Sequence, residues 1–477
     1  MNMGGQHDSG RPRTVAIVGG GASGALTAVA LTRLADRSDR AIRVQLFDPT
    51  TRPGRGLAYG TTDLRHLLNV RAGRMSAFPD EPDDFVRWAE SAGIDVHHDT
   101  FLPRRYYGDY LAGLVDDAVR TGVLEVRRGW VRAVRRTEHG FDLQTTDGAA
   151  RADAVVLAYG NLPPATPGST ATRCDLVNAW ESDALERLPD DGPLLLVGTG
   201  LTAVDAALTV LGDHPQRRAI AVSRHGLLPR SHQSGPEGVW STPIPAAGEP
   251  LTVAGLRALL HREVAAAARA GVDWRAVMNG LRPVTQGIWI RLSEDERRIF
   301  LATAAREWEV HRHRTAPAVT EALDRLMADG RLTIRRAALV GAKPDPPGYR
   351  ALLEAPDGTR DELRVAAILN CTGPRTDVTG SDDPLLASML ADGLIRPDPL
   401  HLGLDTDDLG ALVDRDGDSD PRLITVGPPR RGGLWECNAV PEIRDLAAQA
   451  ARHLLAELDV EPEALADDRA VAGAARH

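Results

Sequence analysis

Lysine is almost missing from this sequence. Of its 56 basic residues every one but Lys343 is an arginine, and that lysine lies in a Pro/Gly-rich turn, which argues against Schiff-base chemistry at a buried amine. Cysteine is nearly as scarce: Cys174, Cys371 and Cys437 form no CxxC or CxxxxC pair and no zinc-like cluster. A dithiol relay and a structural zinc are therefore set aside, and a reducing compartment is expected. No apolar run approaches the roughly 20 residues that a membrane-spanning helix needs. Met1–Thr14 is polar and lacks the apolar core of a signal peptide, so the expected location is cytoplasmic. A surplus of basic charge is also lacking: the net charge of −10 argues against a nucleic-acid or anionic-membrane partner.

What is present is a long globular chain. Its 477 residues, 43% hydrophobic and 26% charged, suit two or three domains. Val15–Val18 reads as a buried strand, followed by a glycine loop, a small-residue helix from Ala22 and a strand at Val44–Phe47. Helices are expected over 82–92 and 106–121, strands near 123–135, 141–146 and 154–158, and the stretch 49–80 reads as a long ordered loop. The β-loop-α-β pattern then restarts at Leu194–Val197, with a loop at Gly198–Gly200, a helix over Thr202–Leu211 and a strand at Ala219–Val222. Residues 251–330 have helical periodicity; strands return at 332–341, 349–355 and 363–371, and a helix closes the pattern from Pro441 to Leu458. The expected fold class is α/β: two Rossmann-like, three-layer dinucleotide-binding domains, the NADP domain inserted in the FAD domain, with a helical insertion. The boundaries expected are a flexible tail at 1–13, the first part of the FAD domain at 14–190, the NADPH domain at 191–375 with its helical region at 251–330, the second part of the FAD domain at 376–460 and a flexible tail at 461–477.

The first loop, Gly19-Gly20-Gly21-Ala22-Ser23-Gly24, satisfies G-x-G-x-x-G between a strand and a helix. Gly19 permits the tight turn, Gly21 lets the backbone approach a pyrophosphate, and Gly24 permits close helix–strand packing, while the helix N-terminus favours the phosphate charge. Asp48 ends the second strand, where a carboxylate can accept from ribose hydroxyls. This loop is assigned to FAD. The second loop, Gly198-Thr199-Gly200-Leu201-Thr202-Ala203, has Ala in place of the third glycine, and its second strand ends in Ser223-Arg224-His225 with no acid. An acid there would repel a 2′-phosphate whereas Arg224 can pair with it, so NADPH is expected there in preference to NADH. A solvated surface arginine is the plainer alternative. Two nucleotide loops in one chain imply an electron relay from NADPH through FAD.

These residues, with HLLNVRAGRMSAFPDEPDDFVRW at 66–88, LAYGNLPP at 157–164, REWEVHRHR at 306–314, NCTGPRTD at 370–377 and GPPRRGGLWECNAVPEIR at 427–444, resemble the bacterial FAD/NAD(P)-binding protein family related to flavin-containing monooxygenases and amine N-hydroxylases. The resemblance runs over about residues 14–455. It implies that Asn69, Met75 and Ser76 lie at the flavin face, that Gly160 and Gly373 mark chain crossings between the nucleotide domains, and that Gly427 and Glu436 stand beside FAD. The histidine-bearing fingerprint of Baeyer–Villiger enzymes and the Trp-x-Trp-x-Ile-Pro motif of flavin halogenases are absent. Trp289, Trp308 and the run His311, Arg312, His313, Arg314 read either as part of a basic cofactor cleft or as a solvated helix face over two core tryptophans. The spacing places at most two of those four on one side.

Together these expectations describe an FAD-dependent, NADPH-using monooxygenase that oxygenates a small nucleophile, an amine or amino acid, with oxygen through a flavin C(4a)-hydroperoxide. The alternatives are an NADPH:acceptor reductase using a quinone or carrier, and a redox-sensing flavoprotein. Oxygen use separates the first from the second.

Overall fold

Short runs of Val, Ile, Leu and Ala bounded by glycine form the inner strands, and they are buried on both faces, as parallel sheets covered on both sides require. The computed structural model describes residues 11–36, 42–50, 52–167, 175–246 and 248–458. The tail expected at 461–477 lies outside these, as do residues 1–10 of the other tail and Cys174. Residues 11–13 are not tail: Arg11 and Arg13 reach the Asp153 carboxylate, and Arg13 opens the first strand.

The first sheet has six strands in the order Ala411–Val413, Ser419–Thr425, Ala154–Leu157, Arg13–Val18, Ile42–Asp48, Leu124–Arg128. All neighbours are parallel except the outermost pair at 411–425. The second sheet has five parallel strands in the order Leu332–Arg336, Ala219–Ser223, Leu194–Val197, Ala367–Asn370, Val177–Asn178. The two units repeat one topology. In each, the strand before the glycine loop sits between the strand that follows the loop helix and a later return strand. In each, an antiparallel three-stranded meander, spanning 131–152 in one and 338–365 in the other, precedes that return strand. Six helices between Val253 and Ala328 fill the second unit's slot between Ala219–Ser223 and Leu332–Arg336. The strand Val177–Asn178 pairs within the second sheet, so that sheet begins ahead of the boundary expected at residue 190. The helix Pro384–Asp392, capped by the Asp383 carboxylate, was not legible from periodicity.

The helix Ala22–Ala35 lies between Val440–Glu457 and Arg104–Arg120, and its alanines let all three approach closely. Ile17, Leu31 and Leu46 are among the fully buried side chains of this core, each contributing about 1.5–3 kcal/mol by leaving water. Among the described residues no helix is long and apolar enough to cross a membrane.

Candidate functional site: two glycine loops facing an interdomain cleft

The two loops share one backbone shape. Gly19 and Gly198 take φ of +103° and +129°, and Gly21 and Gly200 cap their helices with extended φ/ψ of −69°/−169° and −85°/−169°. The first glycine of each is packed from behind. A Cβ would stand 2.5 Å from the Ala158 carbonyl oxygen at Gly19 and 2.1 Å from that of Cys371 at Gly198. The third position, Gly24, is also closed, since a Cβ there would meet the Gly19 oxygen at 1.8 Å. Gly21 and Gly200 are open: a Cβ would meet only the Gly56 Cα at 3.6 Å in one case and Arg306 Nη1 at 3.9 Å in the other. Neither helix carries an acid in its first turn, so the N–H groups opening at Ala22 and Leu201 present an uncompensated positive end. Tight packing behind and free space in front is the arrangement a pyrophosphate needs, and the residues present fit two dinucleotides.

Asp48 is buried and first of all fastens its own loop. One carboxylate oxygen accepts from the Gly20 N–H at 2.7 Å, the other from the Thr50 N–H at 2.8 Å and from the Thr50 hydroxyl. A ribose hydroxyl would share an oxygen already engaged. Gly54 and Gly56 wall the loop on its open side, Gly54 N–H donating to the Gly20 carbonyl at 2.7 Å. Sequence reading gave this stretch no role, although the Gly-x-Gly spacing was there to be read. Gly427, with φ +89°, lies against Ser23, its would-be Cβ 2.3 Å from the Ser23 hydroxyl, so the C-terminal loop does return to the first glycine loop.

In the second unit Thr199 is buried and bonds the Ser223 hydroxyl at 2.8 Å and the Leu227 carbonyl at 2.7 Å, while Thr202 receives the Trp180 indole N–H at 3.4 Å. Arg224 is exposed one residue beyond its strand, and no side-chain ion pair holds it among the described residues. Gly160 and Gly373, with φ of +72° and +87°, have open space where a Cβ would stand. The two crossings they mark are joined by a backbone bridge between Leu162 and Arg375.

The flavin-face expectation divides. Asn69 is half-buried between the units: its side-chain oxygen faces Arg104 Nη2 at 3.5 Å and its carbonyl accepts from His232 Nε2 at 3.0 Å. Met75 and Ser76 turn away from the cleft. They are 1% and 0% exposed, and the Ser76 hydroxyl is bonded to the Glu81 and Phe78 carbonyls, so the side chains serve the first core, while Arg74 just before them is exposed. Glu436 is likewise occupied. Trp308 Nε1 at 3.2 Å and Arg312 Nη2 at 3.1 Å hold its carboxylate and Gln286 holds its carbonyl, so the side chain faces the helical region, not the loop.

The run at 311–314 is neither a solvated face nor one shared basic patch. Arg312 and Arg314 are buried, and each anchors a separate network. Arg312 joins Glu436 and Glu442, the latter also gripped by Arg282 at 2.9 Å. Arg314 joins Glu237, which also bonds His232 at 2.9 Å and Asn279 at 3.0 Å. Burial alone would raise the Glu237 carboxyl, yet hydrogen bonds from His232 and Asn279 and the Arg314 charge hold it well below the usual carboxylate range. Burial, aided by the Arg312 charge, pulls the His313 imidazole down to about 3. His311 stays outside both networks, its Nδ1 meeting the Glu307 carbonyl. Both networks tie the helical region to the segments expected beside flavin, at Asn69 and at 436–442.

Trp435 centres a three-residue turn, φ 60° and ψ −58°, closed by Glu436 N–H on the Leu434 carbonyl at 2.7 Å. Such a conformation costs on the order of 1–3 kcal/mol. Stacking on Trp289 at 5.0 Å, edge contact with Phe300 and the Arg431 guanidinium 4.3 Å over its ring offset that cost. The units are clamped from the other side by Arg104 on Asp205 at 2.5 Å, His66 on the Thr209 hydroxyl at 2.9 Å and Arg65 on Asp213 at 2.8 Å.

Residues 16–162 match the model of the FAD-NAD(P)-binding family. No curated protein matches the chain. Among solved structures, the ornithine N-hydroxylase of Kutzneria sp. 744 is similar at a TM-score of 0.63 and 16% identity, over 94% of this chain and 100% of that one. The L-lysine 6-monooxygenase of Pseudomonas syringae follows at 0.62 and 16%, over 94% and 100%. The FAD-bound cadaverine monooxygenase of Erwinia amylovora stands at 0.63 and 12%, over 94% and 96%. At these identities the likeness is one of fold: the chain carries an FAD-NAD(P)-binding segment at 16–162 within the two-unit architecture of these monooxygenases.

Proposed function

We propose that the chain is an FAD-dependent, NADPH-using oxidoreductase of the cytoplasm, and specifically a monooxygenase that hydroxylates a small amine or amino acid at nitrogen. The observation that carries this is the duplicated loop: two helix N-termini of one backbone shape, each with its first glycine packed from behind and its second open, in two sheets joined by paired crossings. In this reading FAD takes 14–190 and 376–460 and NADPH takes 191–375, with the strand Val177–Asn178 belonging to the second sheet. When bound, the two cofactors supply two-electron transfer and oxygen activation.

The chain's own residues bind and orient. Gly21, Ala22 and the Gly54–Gly56 wall receive the FAD pyrophosphate, with Asp48 holding the loop and offering its remaining lone pairs to ribose. Gly200, Leu201 and Thr202 receive the second pyrophosphate, and Arg224 is free to pair with a 2′-phosphate. Asn69, fixed by Arg104 and His232, presents its amide at the junction of the units. The helical region, locked on through Arg312 and Arg314, closes that junction against water. The amine reading is supported by the names of the similar structures, which act on ornithine, lysine and cadaverine. A dithiol route lacks support from the described thiols: Cys371 and Cys437 are buried and unpaired, and burial pushes both thiols up, that of Cys437 to about 12.

The deciding experiment follows NADPH oxidation, oxygen uptake and peroxide release with a panel of diamines and basic amino acids. An amine that speeds NADPH oxidation, lowers peroxide release and yields a hydroxylamine supports the proposal. Rapid quinone reduction with no amine-dependent hydroxylamine would replace it with the reductase.

A further inference from the structure

The second glycine loop holds a cation that no sequence pattern announces. Arg306 lies in the first turn of the helix Ala305–Arg312, 107 residues beyond Thr199, yet its Nη2 donates to the Leu227 carbonyl at 2.6 Å and to the Thr199 carbonyl at 3.3 Å. Its Nη1 borders the open space over Gly200, 3.9 Å from where a Cβ would stand. Its side chain is 27% exposed. The acceptors it has found, the carbonyls of Leu227 and Thr199 and the Thr199 hydroxyl at 3.4 Å, are all neutral. The carboxylate beside it, Glu309, stands 3.8 Å away and is engaged by Arg431 at 2.7 Å. A guanidinium withdrawn from water with so little counter-charge is disfavoured, and burial does lower its hold on the proton. The first loop shows what is distinctive here: over Gly21, the matching position, stands only the Gly56 Cα.

We propose that Arg306 is the pyrophosphate anchor of the second loop. Its planar fork meets the dianion seated at the N-terminus of the helix Leu201–Gly212 and supplies the counter-charge that the loop amides lack. The helical region inserted between Ala219–Ser223 and Leu332–Arg336 thereby builds one wall of the dinucleotide cradle. The inference rests on reading that loop as the nicotinamide-dinucleotide site. It is distinct from the role given to Arg224, because the pyrophosphate is common to NADPH and NADH and the 2′-phosphate is not.

The test is a calorimetric titration of the FAD-loaded protein with NADP⁺ and with NAD⁺, which requires no turnover. Arg306→Gln is expected to weaken both by the same factor, on the order of tenfold or more, the size of one lost charge-assisted hydrogen bond. Arg306→Lys, which keeps the charge and loses the fork, should fall between. Arg224→Ala should weaken NADP⁺ alone. Affinities of Arg306→Gln within about twofold of wild type would overturn the assignment, and so would a loss confined to NADP⁺. Should the Gln variant not fold, the Lys variant decides: a loss shared by both dinucleotides upholds the anchor, and unchanged binding of both removes it. If the unmodified protein binds neither dinucleotide, the reading of the loop itself fails. If it binds them and the Arg306 variants bind equally well, only the anchor falls.

Discussion

Two glycines of the first loop, Gly21 and Gly24, are given different duties by the sequence motif, and the structure separates them sharply enough to be tested. At Gly21 the backbone is extended, φ −69° and ψ −169°, a conformation open to any residue, and a Cβ would find only the Gly56 Cα at the ordinary contact distance of 3.6 Å. Gly21→Ala should therefore fold normally. An alanine cap is weaker than a glycine cap by some tenths of a kcal/mol, and the stiffer unfolded chain returns about as much. The methyl group does, however, occupy the face on which a pyrophosphate must rest. At Gly24 the balance reverses. A Cβ would stand 1.8 Å from the Gly19 carbonyl oxygen, so helix and loop must part by about 1.5 Å to restore a normal C···O contact. Overpacking of this kind costs on the order of 1–3 kcal/mol or more, and alanine's better helix propensity recovers only about 1 kcal/mol. The expected pair of outcomes is a Gly21→Ala protein with wild-type urea unfolding and little bound FAD, and a Gly24→Ala protein destabilised by about 2 kcal/mol. Urea titration of the flavin-stripped proteins measures the first quantity and flavin released per chain the second. A Gly21→Ala protein that keeps one FAD per chain, or a Gly24→Ala protein as stable as wild type, would refute the reasoning.

Three further outcomes are expected. Arg224→Ala should raise the apparent Kd for NADPH in anaerobic flavin reduction by on the order of tenfold and leave NADH nearly unchanged; equal losses would place Arg224 away from the 2′-phosphate. Arg312→Met removes a buried partner of Glu436 and Glu442 and should cost about 3–5 kcal/mol in urea unfolding, most of it from the carboxylate left at Glu436; a loss below about 1 kcal/mol would show that water reaches the network. His313 has a folded pKa near 3, below its unfolded value, so between the two the unfolded chain binds the extra proton. Its contribution is therefore intact above about pH 6.5 and lost as pH falls toward 3. His313→Gln should flatten the stability–pH curve in that window, and an unchanged slope would assign the acid lability elsewhere.

Much of the fold was legible because it is written locally. Leu194–Val197 and Ala154–Leu157 are unbroken apolar runs, the glycine spacings sit between strand and helix signals, and the long helical stretch before residue 330 keeps its periodicity. What was not legible depends on chain segments far apart. Nothing near Arg306 in sequence says that it will lie on Thr199, and nothing near His232 says that it will meet Asn69, because each contact is set by how distant segments dock. The burial of the Met75 and Ser76 side chains was not legible for a related reason. Their segment winds through the short 3-10 turn Ala72–Arg74, where no simple period tells inward from outward. Asp48 ends its strand where the sequence places it, while its duty of holding Gly20 and Thr50 is visible only once the loop is closed. Glu436 follows the tight turn at Trp435, and no local pattern says that its carboxylate will meet Trp308 and Arg312.

The placement of one unit inside the other also fixes an order of assembly. The second sheet draws all its strands from the stretch between Val177 and Asn370, so it can close as soon as that stretch has left the ribosome. The first sheet cannot. Ser419–Thr425 must come back to Ala154–Leu157 and Val440–Glu457 to the helix Ala22–Ala35, so until residue 457 has emerged the N-terminal strands present an unpaired edge and an uncovered alanine face. The chain's most aggregation-prone interval during synthesis is thus the one in which its inserted half is already folded.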